Sequence, residues 1–150
     1  PVVLKYIRTY LDKIEFMQEK GSHTIKDVTF NTPVRHVHPV ETYGIIFHLN
    51  KTVGLITDTR FFDGLLDTYR TDYLIVNVLR TKPIEDHHVI DHLALDSFVK
   101  IVTCIKPEVA VMTHFGMNMI QEKPHVLAEK LSMETGIHVI AAYDGMKLEF

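Results

Sequence analysis

The chain has few of the features that mark several large classes of protein. It contains one cysteine, Cys104, so it has no disulfide framework, which is typical of a protein of the reducing cytoplasm. Cys104 lies in a segment of helical period, where we expect a small buried hydrophobic residue. A catalytic thiol is the remote alternative, because no base has a predictable position beside it.

Long apolar runs are also missing. No stretch approaches the length of a transmembrane helix, and residues 1–8 have neither the charged head nor the cleavage site of a signal peptide. We therefore expect a soluble, cytoplasmic protein that makes no membrane contact, unless a targeting segment lies upstream of Pro1.

The net charge is −3, and the basic residues are scattered. This excludes a broad basic surface for nucleic acid, although it does not exclude a nucleic-acid substrate. No glycine-rich phosphate loop follows a strand, which argues against an ordinary nucleotide-binding α/β domain.

What the chain does have is enough apolar material for one core. Its 150 residues are 46% hydrophobic, without repeats, linkers or low-complexity tracts. This length and composition predict one domain over residues 1–150, or a part of one.

The first third of the chain is predicted to be rich in strands. Leu4, Ile7 and Leu11 have helical spacing and predict a short helix. Residues 14–18 and 24–30 alternate on either side of residues 21–22 and predict a hairpin there. Residues 43–49 predict a further strand, and residues 50–51 a tight turn into the strand that ends at Asp58.

After Asp58 the pattern changes to alternating strands and helices. Short or amphipathic helices are predicted at 61–69, at 95–105 before Pro107, and from Pro124 to just before Gly136. Buried strands are predicted at 73–79, 109–113 and 138–142. Repeated strand-helix-strand units imply parallel strands covered by helices, which is an α/β architecture.

Two of these strands end in side chains that bind metals. Asp58 follows an apolar run at 53–56, and His114 follows another at 109–112. Open α/β sheets place their chemistry at the carboxyl ends of the strands, and carboxylate and imidazole are ligands for zinc, manganese and iron. Two ligands alone do not hold a metal.

The positions of the ten histidines in the predicted elements narrow the set of histidines that could belong to a functional site. His36, His38 and His92 lie at strand ends or in adjacent loops, as Asp58 and His114 do. Histidines inside apolar elements are more often core residues, and the rest are expected to be solvated. The expected core histidines are His48 and His138, and the expected solvated ones are His23, His87, His88 and His125.

Four ordered motifs resemble a known family. They are residues 35–45 (Arg-His-Val-His-Pro-Val-Glu-Thr-Tyr-Gly-Ile), 55–60 (Leu-Ile-Thr-Asp-Thr-Arg), 92–98 (His-Leu-Ala-Leu-Asp-Ser-Phe) and 112–117 (Met-Thr-His-Phe-Gly-Met). Their order, from His36 to Asp144, resembles the carboxyl-terminal half of metallo-β-lactamase-fold hydrolases, in their broad phosphodiesterase-like and uncharacterised microbial branch. The resemblance implies half of an αββα sandwich, with a mixed sheet and helices on its outer face.

The resemblance also implies roles for single residues. Asp58 matches the carboxylate that bridges two metal ions, and His114 matches the last ligand of the second metal. In this family the metals, zinc first with manganese or iron as alternatives, yield a hydroxide that attacks an ester-like or phosphodiester bond.

Three further histidines match less distinctive family positions. His92 matches a histidine that protonates the leaving group, or alternatively helps to start the next helix and faces water. His38, by its spacing to Gly44, or His36 would line the substrate edge; alternatively, both only terminate a loop held by Pro39. Asp144 is expected to be a turn residue.

The chain departs from the family in one respect. The leading histidine-x-histidine-x-aspartate-histidine signature occurs nowhere in it. We therefore expect residues 1–150 to be the second half of a longer domain that holds little or no metal alone. Its partners would be the amino-terminal half or, through the inner face of the sheet, another copy of itself. The alternative to a hydrolase is a non-catalytic assembly module.

Overall fold

The computed structural model describes residues 4–83 and 92–149. In this part of the chain seven strands form one sheet whose spatial order equals the chain order. The strands are β1 Gly21–Ile25, β2 Val28–Thr32, β3 Ile45–His48, β4 Thr52–Ile56, β5 Tyr73–Asn77, β6 Val109–Thr113 and β7 His138–Ala141. The helices are α1 Gly64–Thr68, α2 Leu95–Ile105, α3 Met117–Gln121 and α4 Pro124–Thr135, preceded by a 3₁₀ turn at Arg8–Tyr10.

The sheet is mixed, as the resemblance implied. Strands β1 to β4 pair antiparallel, and β4 to β7 pair parallel. In the parallel half a helix follows each of β4, β5 and β6, and this confirms the strand-helix alternation read from the sequence. The carboxyl ends of β4, β5 and β6 therefore meet at one edge of the sheet.

Two predictions for the first third are wrong. The hairpin turns at Lys26–Asp27 and not at Gly21, because Lys26 adopts a left-handed conformation (φ 55°) that suits a two-residue reversal. The predicted amino-terminal helix is only the short 3₁₀ turn. Its apolar side chains, such as Leu4 and Tyr10, are exposed, and without a surface to pack against a longer helix gains little stability.

The described helices pack on one face of the sheet. Alternate residues of the central strands, including Leu74, Val76 and Met112, join Phe98 and Ile101 of α2 in a continuous buried cluster. The two helix boundaries read from Pro124 and Gly136 are confirmed. Gly136 closes α4 in a left-handed conformation (φ 71°), and its N–H bonds to the Ser132 carbonyl.

The intervening residues of the strands lie on the opposite face. One cross-strand row of large apolar side chains runs through β3 to β7 in register. This row lies outside the buried cluster that the helices cover, and most of its members are half-exposed. The members of this inner-face row are Ile45, Leu55, Ile75, Val111 and Ile140.

Several single-residue expectations are also wrong. Cys104 is exposed, because it lies on the side of α2 away from the buried Ile101 and Val102. His48 and His138 are exposed rather than in the core, and His48 bonds to Asn31.

His23, expected to be solvated, is a strand residue whose side chain is only 11% exposed. It stacks on Phe30 at 5.1 Å between ring centroids. His125 is exposed as expected, whereas His87 and His88 lie outside the described residues. Within the described residues, the helices are too short or too polar to span a membrane.

Candidate metal centre

The carboxyl edge of the parallel strands brings Asp58 and His114 together. Asp58 lies two residues beyond β4, and His114 is the first residue after β6. The Nε2 atom of His114 is 3.4 Å from Oδ1 of Asp58. The His114 backbone is left-handed (φ 62°), a conformation that costs a non-glycine residue energy and is often retained at functional sites.

His92 reaches the same carboxylate from the segment before α2. Its Nδ1 atom is 3.5 Å from Oδ1 of Asp58, and its side chain is only 8% exposed. Its ring stacks on the His114 ring, with centroids 5.4 Å apart. The alternative in which the His92 side chain faces water is therefore wrong.

Burial is the main influence on the protonation of His92. It lowers the pKa of the imidazole below its ordinary value, while the Asp58 carboxylate acts in the opposite sense. His114, His38 and Arg80 lower the pKa of His92 further, through charge repulsion. His92 therefore favours the neutral form near pH 7, in which one ring nitrogen has a free lone pair.

His38 completes the group from the loop between β2 and β3. Its ring centroid is 5.4 Å from that of His92. His38, Asp58 and His92 each offer one ligand atom, and these atoms all lie within 4.8 Å of one another, so the three side chains could hold a metal ion. The sequence had placed His38 only at the substrate edge, and the structure adds the capacity to bind metal.

Asn77 orients the central carboxylate and was missed in the sequence. Its Nδ2 atom donates to Oδ1 of Asp58 over 2.8 Å. A signal was present, because Asn77 is the polar residue that ends the otherwise apolar strand β5, at the edge where Asp58 and His114 also lie.

His36 was the alternative to His38, and the structure separates the two. His36 is 3% exposed, and its two ring nitrogens lie 2.8 Å from the Tyr69 hydroxyl and 3.1 Å from Thr57 Oγ1. Burial lowers the pKa of His36 to about 4. Asp144 lies exposed in a turn, as predicted.

The donor set at this edge suits a divalent transition metal. The carboxylate of Asp58 supplies oxygen, and His38, His92 and His114 supply imidazole nitrogen, a combination found in zinc, manganese and iron sites. Asn77 supplies the outer hydrogen bond that metal-binding carboxylates ordinarily receive.

Comparison with known proteins places this arrangement in a fold. No family model matches the chain. An uncharacterised protein of Methanocaldococcus jannaschii is 30% identical over 155 residues, which cover 99% of this chain and 55% of that protein. YhfI of Bacillus subtilis, a metallo-β-lactamase fold protein, superposes with a TM-score of 0.71 at 17% identity, covering 87% of this chain and 53% of YhfI. A diphosphatase of the PhnP family is 26% identical with a TM-score of 0.67, covering 97% of this chain and 53% of the diphosphatase.

The chain therefore has the architecture of about half of the metallo-β-lactamase fold, one mixed sheet with helices on one face, as its motifs implied. A metallo hydrolase of Ignicoccus hospitalis also superposes, with a TM-score of 0.65 at 17% identity, covering 89% of this chain and 60% of that hydrolase. The chain spans about half the length of the relatives described above.

Proposed function

We propose that this chain is the carboxyl-terminal part of a metal-dependent hydrolase that cleaves an ester-like bond, with a phosphodiester as the substrate class. The observation that carries the proposal is the convergence of His38, His92 and His114 on the single carboxylate of Asp58. The similarity to a diphosphatase of the PhnP family supports a phosphorus-containing substrate.

Asp58 and His114 are the proposed metal ligands, and His38 joins them because its ligand atom lies within 4.8 Å of that of Asp58. Two divalent ions, zinc in the first place, would lower the pKa of a coordinated water and polarise the bond under attack. Asn77 keeps the Asp58 carboxylate in one orientation, which reduces the entropy lost when a metal binds.

His92 is the proposed proton donor to the leaving group. Its buried side chain lies between His38 and His114, so a substrate held at Asp58 would contact it. Burial keeps the His92 pKa low without substrate, and a phosphate anion would raise the pKa by favouring the imidazolium. The histidine would then gain its proton when substrate arrives, as a general acid requires.

The complete site is proposed to need the other half of a longer chain. Asp58, His38 and His114 give two metals too few protein ligands for a stable binuclear site. The half-exposed inner-face row is the surface on which a second sheet would pack.

The test uses the complete gene product and measures bound metal by elemental analysis and hydrolysis of bis(p-nitrophenyl) phosphate. Wild-type protein is expected to hold metal and to release nitrophenolate, whereas Asp58→Ala and His114→Ala lose both properties. A matched control is His125→Ala, which removes an exposed histidine of α4. Full metal content and activity in Asp58→Ala would refute the proposal.

The same metal measurement on the isolated 150-residue chain tests the need for another half. We expect little bound metal there. A stoichiometric, tightly held ion would show that the ligands of this chain suffice by themselves.

A further inference from the structure

A buried polar network lies behind the candidate metal centre. The Tyr69 hydroxyl is 2.8 Å from His36 Nε2, His36 Nδ1 is 3.1 Å from Thr57 Oγ1, and Thr57 Oγ1 donates to the Tyr43 carbonyl over 3.0 Å. The Tyr69 side chain is fully buried and His36 is 3% exposed. A buried polar network of this kind is stable only where its members satisfy one another.

The hydrogen atoms of the network have one consistent arrangement. Thr57 has a single hydroxyl proton, which it gives to the Tyr43 carbonyl. His36 Nδ1–H therefore donates to Thr57, and His36 Nε2 accepts from the Tyr69 hydroxyl. One tautomer of a neutral histidine satisfies both contacts, so the network is directional and fixes the ring.

The network leaves no room for a side chain at position 44, which is glycine. A Cβ atom at position 44 would meet the Tyr69 hydroxyl, and it would lie 2.7 Å from Cε1 of His36 and 2.6 Å from the Leu55 carbonyl oxygen. The tyrosine-histidine pair thus packs directly against the backbone just before β3. Only a residue without a side chain fits there.

A second set of hydrogen bonds joins the segment before β3, at Val37, to the segment after β4, at Thr59 and Arg60. The Val37 N–H donates to Thr59 Oγ1 over 3.0 Å, and the Arg60 N–H donates to the Val37 carbonyl over 3.0 Å. Thr59 is fully buried. The network and these bonds therefore flank Asp58 on both sides and hold it against the segment that leads into His38.

We propose that Tyr69, His36 and Thr57 are positioning residues that fix the separation of the Asp58 and His38 side chains at the metal centre. The inference rests on the proposed function, in which Asp58 and His38 are ligands. None of the three positioning residues needs to touch metal or substrate. They act by holding the loop after β4 and the loop before β3 in one relative position, so that a metal meets preformed ligands.

The test measures Zn²⁺ affinity of the metal-free complete gene product by competition with a chromogenic chelator, and the Tm of the same metal-free samples. Tyr69→Phe and Thr57→Val remove one hydroxyl each and are expected to weaken Zn²⁺ binding about tenfold or more, as the loss of a hydrogen bond that supports a metal ligand does. Thr57→Ser keeps the hydroxyl and should restore wild-type affinity. Thr103→Val is the matched control, since Thr103 is exposed and its hydroxyl donates to the Val99 and Lys100 carbonyls of its own helix, α2.

The outcomes separate this inference from the proposed function. Tyr69→Phe and Thr57→Val with a lower Tm but unchanged Zn²⁺ affinity would show that the network serves the fold alone, and would overturn the inference. Wild-type protein that binds no Zn²⁺ would overturn the proposed function, and the inference with it. If Tyr69→Phe does not fold, the difference in Zn²⁺ affinity between Thr57→Val and Thr57→Ser tests the inference: equal affinities would overturn it.

Discussion

At the scale of single residues, burial divides the histidines near the site into two kinds. His38 and His114 keep part of their surface, as a ligand or substrate contact requires, whereas His36 is enclosed with both ring nitrogens bonded. His92 is intermediate, because its side chain is mostly covered yet lies beside the Asp58 carboxylate. The same residue type thus occupies different environments at one edge of the sheet.

His92 gives a prediction that distinguishes a proton donor from a metal ligand. His92→Ala in the complete gene product is expected to retain bound metal while kcat falls about 100-fold, the usual contribution of a general acid. Elemental analysis and steady-state kinetics check both parts. Loss of metal would make His92 a ligand, and an unchanged kcat would remove it from the chemistry.

His36 predicts a dependence of stability on pH. Its pKa is about 4 in the folded chain against an ordinary 6.5, so below pH 6.5 the unfolded chain binds more protons and stability falls as the pH falls. The loss begins near pH 6.5, is complete below about pH 4, and amounts to roughly 3 kcal/mol.

The comparison is between wild type and His36→Gln, by urea unfolding of the metal-free chain at pH 7.5 and pH 4.5. Between these pH values the free energy of unfolding should drop less in the variant than in the wild type. Equal drops would mean that other groups cause the pH dependence.

At the scale of elements, the sequence predicted a helix correctly where that helix has its own hydrophobic period and its own start or stop residues. The spacing in α2, and Pro124 and Gly136 around α4, gave correct helices. The β1–β2 hairpin was misplaced because Gly21 resembles a turn residue, whereas Lys26 carries the left-handed conformation. Such a conformation in lysine has no strong sequence signal.

A substitution at Gly136 would measure how much its left-handed backbone conformation contributes to ending α4. Gly136 has φ 71°, and nothing lies within 4 Å of a Cβ added there. Gly136→Ala should therefore reduce the free energy of unfolding by about 1 kcal/mol without steric clash. Chemical denaturation measures it, and an unchanged value would mean that the helix end adapts at no cost.

At the scale of the whole molecule, the sheet has two unlike faces. The helices cover the face with Leu74, Val76 and Met112, while the inner-face row stays outside that cluster and mostly half-exposed. A row of large apolar side chains in this state favours association. The chain also spans only about half of the relatives described above.

The inner-face row predicts the behaviour of the isolated 150-residue chain. We expect it to self-associate in solution, and Leu55→Asn with Ile75→Asn to shift it toward monomer, because both side chains lie on that row. Light scattering after size-exclusion chromatography measures the mass. The control pair is Val126→Asn with Met133→Asn, two exposed positions of α4. A monomeric wild-type chain would contradict the prediction.

The sequence by itself determined the strands that lead into Asp58 and His114 and the helices between them, because hydrophobic period and stop signals act over a few residues. The resemblance of four short motifs to a known family supplied the fold, because each motif can be recognised from a few consecutive residues. Only the tertiary structure decided that His38 rather than His36 faces Asp58, that His92 is covered, and that Asn77 orients the carboxylate. These relations depend on sheet register and loop path, which arise from contacts between residues far apart in the chain.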